Sequence, residues 1–165
     1  MTVTIRQLRP DEWPAFRDLR LKALRLDGGN FFRTVDEERD RPVDHWREML
    51  ESDDSAVFGL FDRTMLVGIT AVYVDRAIVA RDTAGLGMTW LEPAYRGRGL
   101  SATIYAARIA WARGKGLTRI IVSHREGNEP SRRAMLAHAF RRTGAAPHAW
   151  PDGRVVNNIS YELPL

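Results

Sequence analysis

The chain has 165 residues, 44% of them hydrophobic, carries a net charge of +4 and contains no cysteine. That length and apolar fraction predict one domain, residues 1–165, with a real core, and the missing thiols exclude disulfides, thiolate metal sites and a cysteine nucleophile. MTVTIRQLRP lacks a signal-type apolar stretch, no run approaches the roughly 18 apolar residues of a membrane span, and the arginines are interleaved with acids rather than blocked, so a soluble, cytoplasmic protein without membrane or nucleic-acid partners is expected.

In chain order, TVTIRQL alternates apolar and polar residues and predicts a strand. PDEWPAFRDLRLKALRL places Trp13, Phe16, Leu19 and Leu24 at helical spacing. Asp11 and Glu12 favour the start of that helix, and Gly28-Gly29 ends it. GGNFFRTV is less regular and carries Phe31 and Phe32. VDEERDRPVDHWREMLES predicts a second helical region, with Pro42 near the start of its firmer half. SAVFGLFD and TMLVGITAVYVD are strands around an Asp62-Arg63 turn. TAGLGMTWL follows a turn-like DRAIVARD, and the three strands predict an antiparallel meander. A helix from about Leu100 to Arg113 stops at GKG. TRIIVSH is a buried strand, Asn128 to Ala139 a helix, and FRRTGAA and VVNNISYEL are closing strands. The order βααβββαβαββ predicts an α/β fold with a mixed, mostly antiparallel sheet flanked by helices. The helical crossover at 100–113 requires local parallel pairing.

The stretch PAYRGRGLS sits where a strand hands over to a helix. The first N–H groups of a helix lack internal partners and carry the positive end of its dipole, so a phosphate suits them. Gly97 and Gly99 let the backbone approach a bulky anion, and Arg96 and Arg98 add charge. A turn whose glycines only meet a positive φ is the alternative. There is no G-K-[ST] ending and no G-x-G-x-x-G fingerprint.

The run Arg96, Gly97, Arg98, Gly99, Leu100, Ser101 resembles motif A of the GNAT superfamily of N-acetyltransferases, Q/R-x-x-G-x-G/A, with serine in the last place. HREGNEPSRRAMLAHAFRRTGA resembles the next family motif: Asn128 takes the asparagine's place, and Ala139-Phe140 stands where Gly-Phe is usual. Asn128 with Ser131, then FRRTG, looks most like the branch acting on ribosomal-protein N-termini. ALRLDGGNFFRTVDEE looks like the substrate loop of small-molecule acetyltransferases. The resemblance implies the GNAT fold, acetyl-CoA as cosubstrate and a primary amine as acceptor, either a small molecule or a protein N-terminus. A homodimer is compatible with it.

It also implies residue roles. Thr89, Trp90 and Leu91 would pair with pantetheine like an added strand. Arg96, Gly97, Arg98, Gly99, Leu100, Ser101 and Ala102 would hold the pyrophosphate. Asn128 would bond the pantetheine arm, with Ser131 close by; an ordinary helix cap also explains Asn128. Arg132 and Arg133 read as a solvated helix face. The tyrosine that many members use as acid is Met135 here, which cannot donate. Ser131, one turn earlier, is the candidate acid, with first-turn capping as its other reading. The strand glutamate that some members use as base is Gly85 here. Glu38 is the candidate base, with Glu37 and Asp36 as neighbours, and His124 a possible relay. Trp90, Tyr73, Phe31 and Phe32 line an acceptor pocket or belong to the core. His45, His138 and His148 share no ligand spacing, so no metal is expected. Met135 and Gly85 also suit a rival reading, a coenzyme A-binding sensor without turnover.

Overall fold

The computed structural model describes residues 2–74 and 82–165; the turn expected over DRAIVARD falls almost wholly outside them. The strands are β1 (Val3–Gln7), β2 (Ser55–Asp62), β3 (Met65–Val74), β4 (Thr83–Leu91), β5 (Arg119–Arg125), β6 (Arg141–Ala149) and β7 (Val155–Pro164). The helices are α1 (Trp13–Asp27), α2 (Val35–Arg39), α3 (Val43–Glu51), α4 (Ser101–Gly114) and α5 (Glu129–Ala137). The strands form one sheet in the order β1-β2-β3-β4-β5-β7-β6. All pairings are antiparallel except β4 with β5, where α4 makes the crossover.

One helical region of the sequence is two helices. Thr34 caps α2 by accepting from the Glu37 N–H, while Glu37 reaches back to the Thr34 N–H at 2.7 Å. This is a capping box. Pro42 then serves as the N-cap of α3, because a proline disfavours helix at the residue before it and offers no N–H to continue α2. The turn between β2 and β3 is tight, with Arg63 at φ 55°. Ala139 holds φ 66° just after α5, a conformation that favours glycine.

The sheet has a core on each face. On one, Phe16, Leu19 and Ala23 of α1 and Trp46 and Leu50 of α3 pack on Val57, Ile69, Ala71 and Trp90. Phe16 meets Trp46 edge-on at 5.5 Å, and burying a ring such as Phe16 contributes about 2 kcal/mol. On the other face, Tyr105 and Ala112 of α4 and Met135 of α5 pack on Val72, Ala84, Leu86, Ile120, Ile159 and Tyr161.

Strand β4 changes its alternation part-way. Ala84 and Leu86 point to the α4 face, but Trp90 points to the α1 face. Even positions would stay on one face in an unbroken strand. The register with β3 shifts between Ile69 and Ala71, which oppose Trp90 and Gly87, so β4 carries one extra residue there. Met88 takes φ 53° at this bulge. A bulge inserts a residue and exchanges the faces beyond it.

Candidate active site

β4 and β5 pair only over Thr83–Gly85 and Arg119–Ile121. Beyond Gly85 the strands part, while β5 continues to pair with β7 as far as Arg125. The inner edges of β4 and β5 therefore hold unpaired backbone groups facing a gap. Such groups need partners, and an extended amide-bearing arm is able to supply them. Thr89, on the rim of this gap, is exposed, whereas Trp90 is buried and Leu91 half-buried.

The phosphate-type loop follows at once. Gly97 and Gly99 have φ 71° and 74°, and a Cβ built on either meets nothing within 4 Å. The space they face is open. Leu100 stands at the N-cap of α4 and makes no side-chain cap bond, as leucine has no acceptor. The first N–H groups of α4 are thus left for an outside anion.

The two arginines of the loop differ from the expectation of simple added charge. Arg96 donates from Nε to the Leu91 carbonyl at 2.9 Å and from Nη2 to Asp27 at 2.7 Å. Asp27 also accepts from Trp90 Nε1 at 2.7 Å. Burial alone would raise the Asp27 carboxyl, but the bonds from Trp90 and Arg96 outweigh it and hold it below its ordinary value. Arg96 is a strut between α1, β4 and the loop. Arg98 lies over the Tyr95 ring at 5.4 Å. The Trp90 side chain belongs to the α1-face core and is 4% exposed, so it does not line a pocket.

At the start of α5, Asn128 is the N-cap and its Oδ1 accepts from the Ser131 N–H at 3.3 Å. Its amide NH2 remains available to donate. Ser131 is half-buried beside it. Ser101 lies 3.4 Å from His138 Nε2, and His138 stacks on Tyr105; burial, then nearby Arg108, lowers the His138 pKa. Arg132 is bound to Glu129 by two contacts of 3.0 Å, and Arg133 is 78% exposed in its side chain. Met135 is 4% exposed and part of the α5 core.

The candidate bases fare differently. Glu38 is buried, and its two oxygens accept from Arg20 Nε and Nη2, each at 2.9 Å. Arg20 in turn lies over the Phe31 ring at 4.7 Å. A carboxylate held by such a fork is an anchor between α1 and α2, which removes the geometric case for Glu38 as a free base. Glu37 is occupied in its capping box, and Asp36 pairs with Arg39 at 2.8 Å. His124 is 7% exposed. Its Nδ1 lies 2.7 Å from the Arg125 carbonyl, which only accepts, so Nδ1 carries the proton and Nε2 accepts from Tyr161 Oη at 3.0 Å. His124 and Tyr161 line a cleft with Glu126, Glu129, Arg132 and Arg142.

At Gly85, a Cβ would lie 2.6 Å from the Tyr73 ring, so the ring occupies the room a glutamate would need. Tyr73 is 38% exposed there. Phe31 packs with the core, whereas Phe32 is 53% exposed and stacks on Trp150 at 5.1 Å. Among the described residues no cluster of metal-type ligands occurs and no helix is long and apolar enough to cross a membrane.

Two groups escaped the sequence reading altogether. Asp27 is the last residue of α1 and holds both Trp90 and Arg96. Arg108, on the inner face of α4, is 2% exposed. Its Nη1 donates to Thr89 Oγ1 at 2.9 Å, and its plane lies over the Tyr105 ring at 4.4 Å. The only signal available was an arginine breaking an apolar helical face at ATIYAARIAWA.

The profile of the acetyltransferase (GNAT) family matches residues 6–140. The chain belongs to this family. No curated protein matches its sequence. Solved structures share its fold at low identity. Salmonella typhimurium yncA, determined with acetyl-CoA, has a TM-score of 0.84 at 19% identity, covering 100% of this chain and 95% of that one. A Kribbella flavida GCN5-related N-acetyltransferase has 0.81 at 20%, covering 99% and 98%. A Brucella melitensis ribosomal-protein-alanine N-acetyltransferase has 0.80 at 18%, covering 98% and 99%.

Proposed function

We propose that the chain is an N-acetyltransferase that moves acetyl from acetyl-CoA to a primary amine by direct attack in a ternary complex. The observation that carries this reading is the conjunction of three features on one side of the sheet. The β4–β5 gap offers unpaired backbone edges, the Gly97–Gly99 loop offers bare N–H groups at the start of α4, and Asn128 opens α5 with a free amide. Acetyl-CoA has a matching amide-bearing arm and pyrophosphate. Residues 97–102 and the α4 N-terminus are assigned to the pyrophosphate, and the edge at Thr89, Trp90 and Leu91 with Asn128 to the arm. Arg96 supports the loop from behind.

The acetyl group supplies an electrophilic thioester carbonyl. With no cysteine to form an acyl-enzyme, the amine nitrogen attacks it directly. The C–N bond forms, the C–S bond breaks, and coenzyme A leaves as the thiolate. The amine gives its surplus proton to solvent or a base. We place Ser131 beside the leaving sulfur and assign Glu38 to anchoring. Tyr73, whose ring covers Gly85, and the exposed Phe32 favour an acceptor with an apolar body next to its amine. The ribosomal-protein enzyme among the structural neighbours supports testing protein N-termini beside small amines.

The rival reading, a coenzyme A-binding sensor, is favoured by the core placement of Met135. Titration with acetyl-CoA and a thiol-release assay over amines and N-terminal peptides separate the two. Binding with release establishes the enzyme; binding without release over the whole panel favours the sensor; no binding overturns both. Gly99→Val, whose β-branched side chain cannot comfortably hold φ 74°, is expected to abolish binding with the fold retained. Ser131→Ala is expected to lower turnover more than affinity, and wild-type turnover would remove Ser131 from the mechanism.

A further inference from the structure

A second group facing the gap follows from counting protons around Thr89. Thr70 is fully buried on β3, with 0% exposure. Its hydroxyl lies 2.8 Å from Thr89 Oγ1, its single side-chain hydrogen bond among the described residues. A buried hydroxyl proton without an acceptor is costly, so Thr70 donates to Thr89. Arg108 Nη1 also donates to Thr89 Oγ1 at 2.9 Å, since a guanidinium has no acceptor. Both lone pairs of the Thr89 oxygen are then used. Its own proton has no acceptor among the described residues, and Thr89 stands exposed on the strand edge where β4 has parted from β5.

The charge behind this hydroxyl is unusual. Arg108 has no carboxylate partner among the described residues, and its Nε is buried without any partner. A cation in a dry site polarises the hydroxyl it contacts. The bulge is what brings the two together. Without the extra residue at Met88, Thr89 would face α1 and Trp90 would face Arg108.

We infer that the Thr89 hydroxyl donates a hydrogen bond to the thioester carbonyl oxygen of bound acetyl-CoA, with Thr70 and Arg108 as its positioning residues. The inference rests on the acetyltransferase reading and adds a side-chain donor to the backbone edge of β4. As the amine attacks, the carbonyl π pair moves to oxygen, and a donor already aimed there stabilises the developing charge without reorganising. When the C–S bond breaks, that pair returns to re-form the carbonyl of the product amide. The Thr89 proton stays on Thr89 throughout.

The test uses the whole chain with acetyl-CoA labelled with 13C at the carbonyl. Infrared difference spectra are expected to show the bound carbonyl stretch at lower frequency than in free acetyl-CoA. The shift should be lost in Thr89→Val and restored in Thr89→Ser. With an acceptor found in the amine panel, Thr89→Val is expected to lower kcat by about a hundredfold to a thousandfold, with a smaller change in the KM for acetyl-CoA. Arg108→Met should move both readouts the same way. If it fails to fold, the two Thr89 variants decide alone. Acetyl-CoA bound by Thr89→Val with an unchanged carbonyl stretch overturns the inference and leaves the acetyltransferase reading intact. Equal weakening of acetyl-CoA and coenzyme A, again with the stretch unchanged, would place the hydroxyl on the pantetheine arm and also overturns it. No binding to the wild-type chain overturns the reading and the inference together.

Discussion

Among the described residues two arginines are buried, and their partners differ. Arg20 is 4% exposed and Arg108 2%. Arg20 has a carboxylate: Glu38 takes its fork with two bonds of 2.9 Å. Arg108 has a threonine hydroxyl at 2.9 Å and a tyrosine ring at 4.4 Å. The first is a closed pair that ties α1 to α2. The second is a charge without a counterion among the described residues, behind the β4 edge of the gap. Desolvation of an unpaired cation costs stability, and burial pushes the Arg108 guanidinium down to about 10, offset in part by Tyr105. A paired cation is a device of architecture; an uncompensated one next to an open site fits a role in chemistry.

Substitutions at the two arginine sites separate the two roles. The largest effect is expected at the closed pair. Glu38→Gln removes the negative partner of a buried charge and should destabilise the fold by about 3 kcal/mol, read from the denaturant midpoint. Unchanged stability with lost turnover would restore Glu38 as the base. Arg108→Met should go the other way. It replaces an unpaired charge by an apolar side chain of similar length and should leave stability equal or raise it by about 1 kcal/mol, while turnover falls. A loss as large as that of Glu38→Gln would show that Arg108 is structural.

The pH dependence adds a smaller, signed effect. The folded-state pKa of Arg108 lies below its ordinary value, at about 10. From about pH 10 up to the ordinary guanidinium value the unfolded chain holds more protons than the folded one, so this group adds stability as pH rises. The advantage of Arg108→Met over wild type should therefore be fully present below pH 10 and shrink above it. Parallel stability curves for the two proteins across that range would contradict this.

The smallest change is expected on the surface. Arg6 holds Glu12 with bonds of 2.8 and 2.7 Å. The Arg6 hydrogen bond, against the opposing pull of burial, lowers the Glu12 pKa to about 2. Its contribution is present above the ordinary carboxylate value of 4.5 and is lost as pH falls toward 2. Glu12→Gln should flatten the acid limb of the stability curve in that window. Its cost at neutral pH should be about 1 kcal/mol or less, because the pair is open to water.

The local devices were legible in the chain. Two glycines at a strand-to-helix junction singled out Gly97 and Gly99 in PAYRGRGLS, apolar spacing marked α1 and α4, and Asn128 announced α5. The break at Pro42 was visible as a proline but was not turned into two helices, because α2 is a short helix held by a capping box that propensity alone does not reveal. Glu38 illustrates the limit. In DEERDR it looked like one acid among several, and its partner Arg20 lies a helix away. Trp90 stood open between pocket lining and core, and the change of alternation in β4 that puts it in the α1-face core is not visible in TAGLGMTWL.

The order of most elements, the glycine-bearing loop before α4 and the family resemblance can be read from the chain alone, because these depend on spacing within a few residues. Tertiary structure alone decided which charges are paired, where β4 leaves β5, and which face Thr89 presents. The reason is geometric. One extra residue at the β4 bulge exchanges the two faces of the strand beyond it, and that register is set by β3 across the sheet. The contact between Thr89 and Arg108 exists only once the strand has been paired and α4 has packed over it.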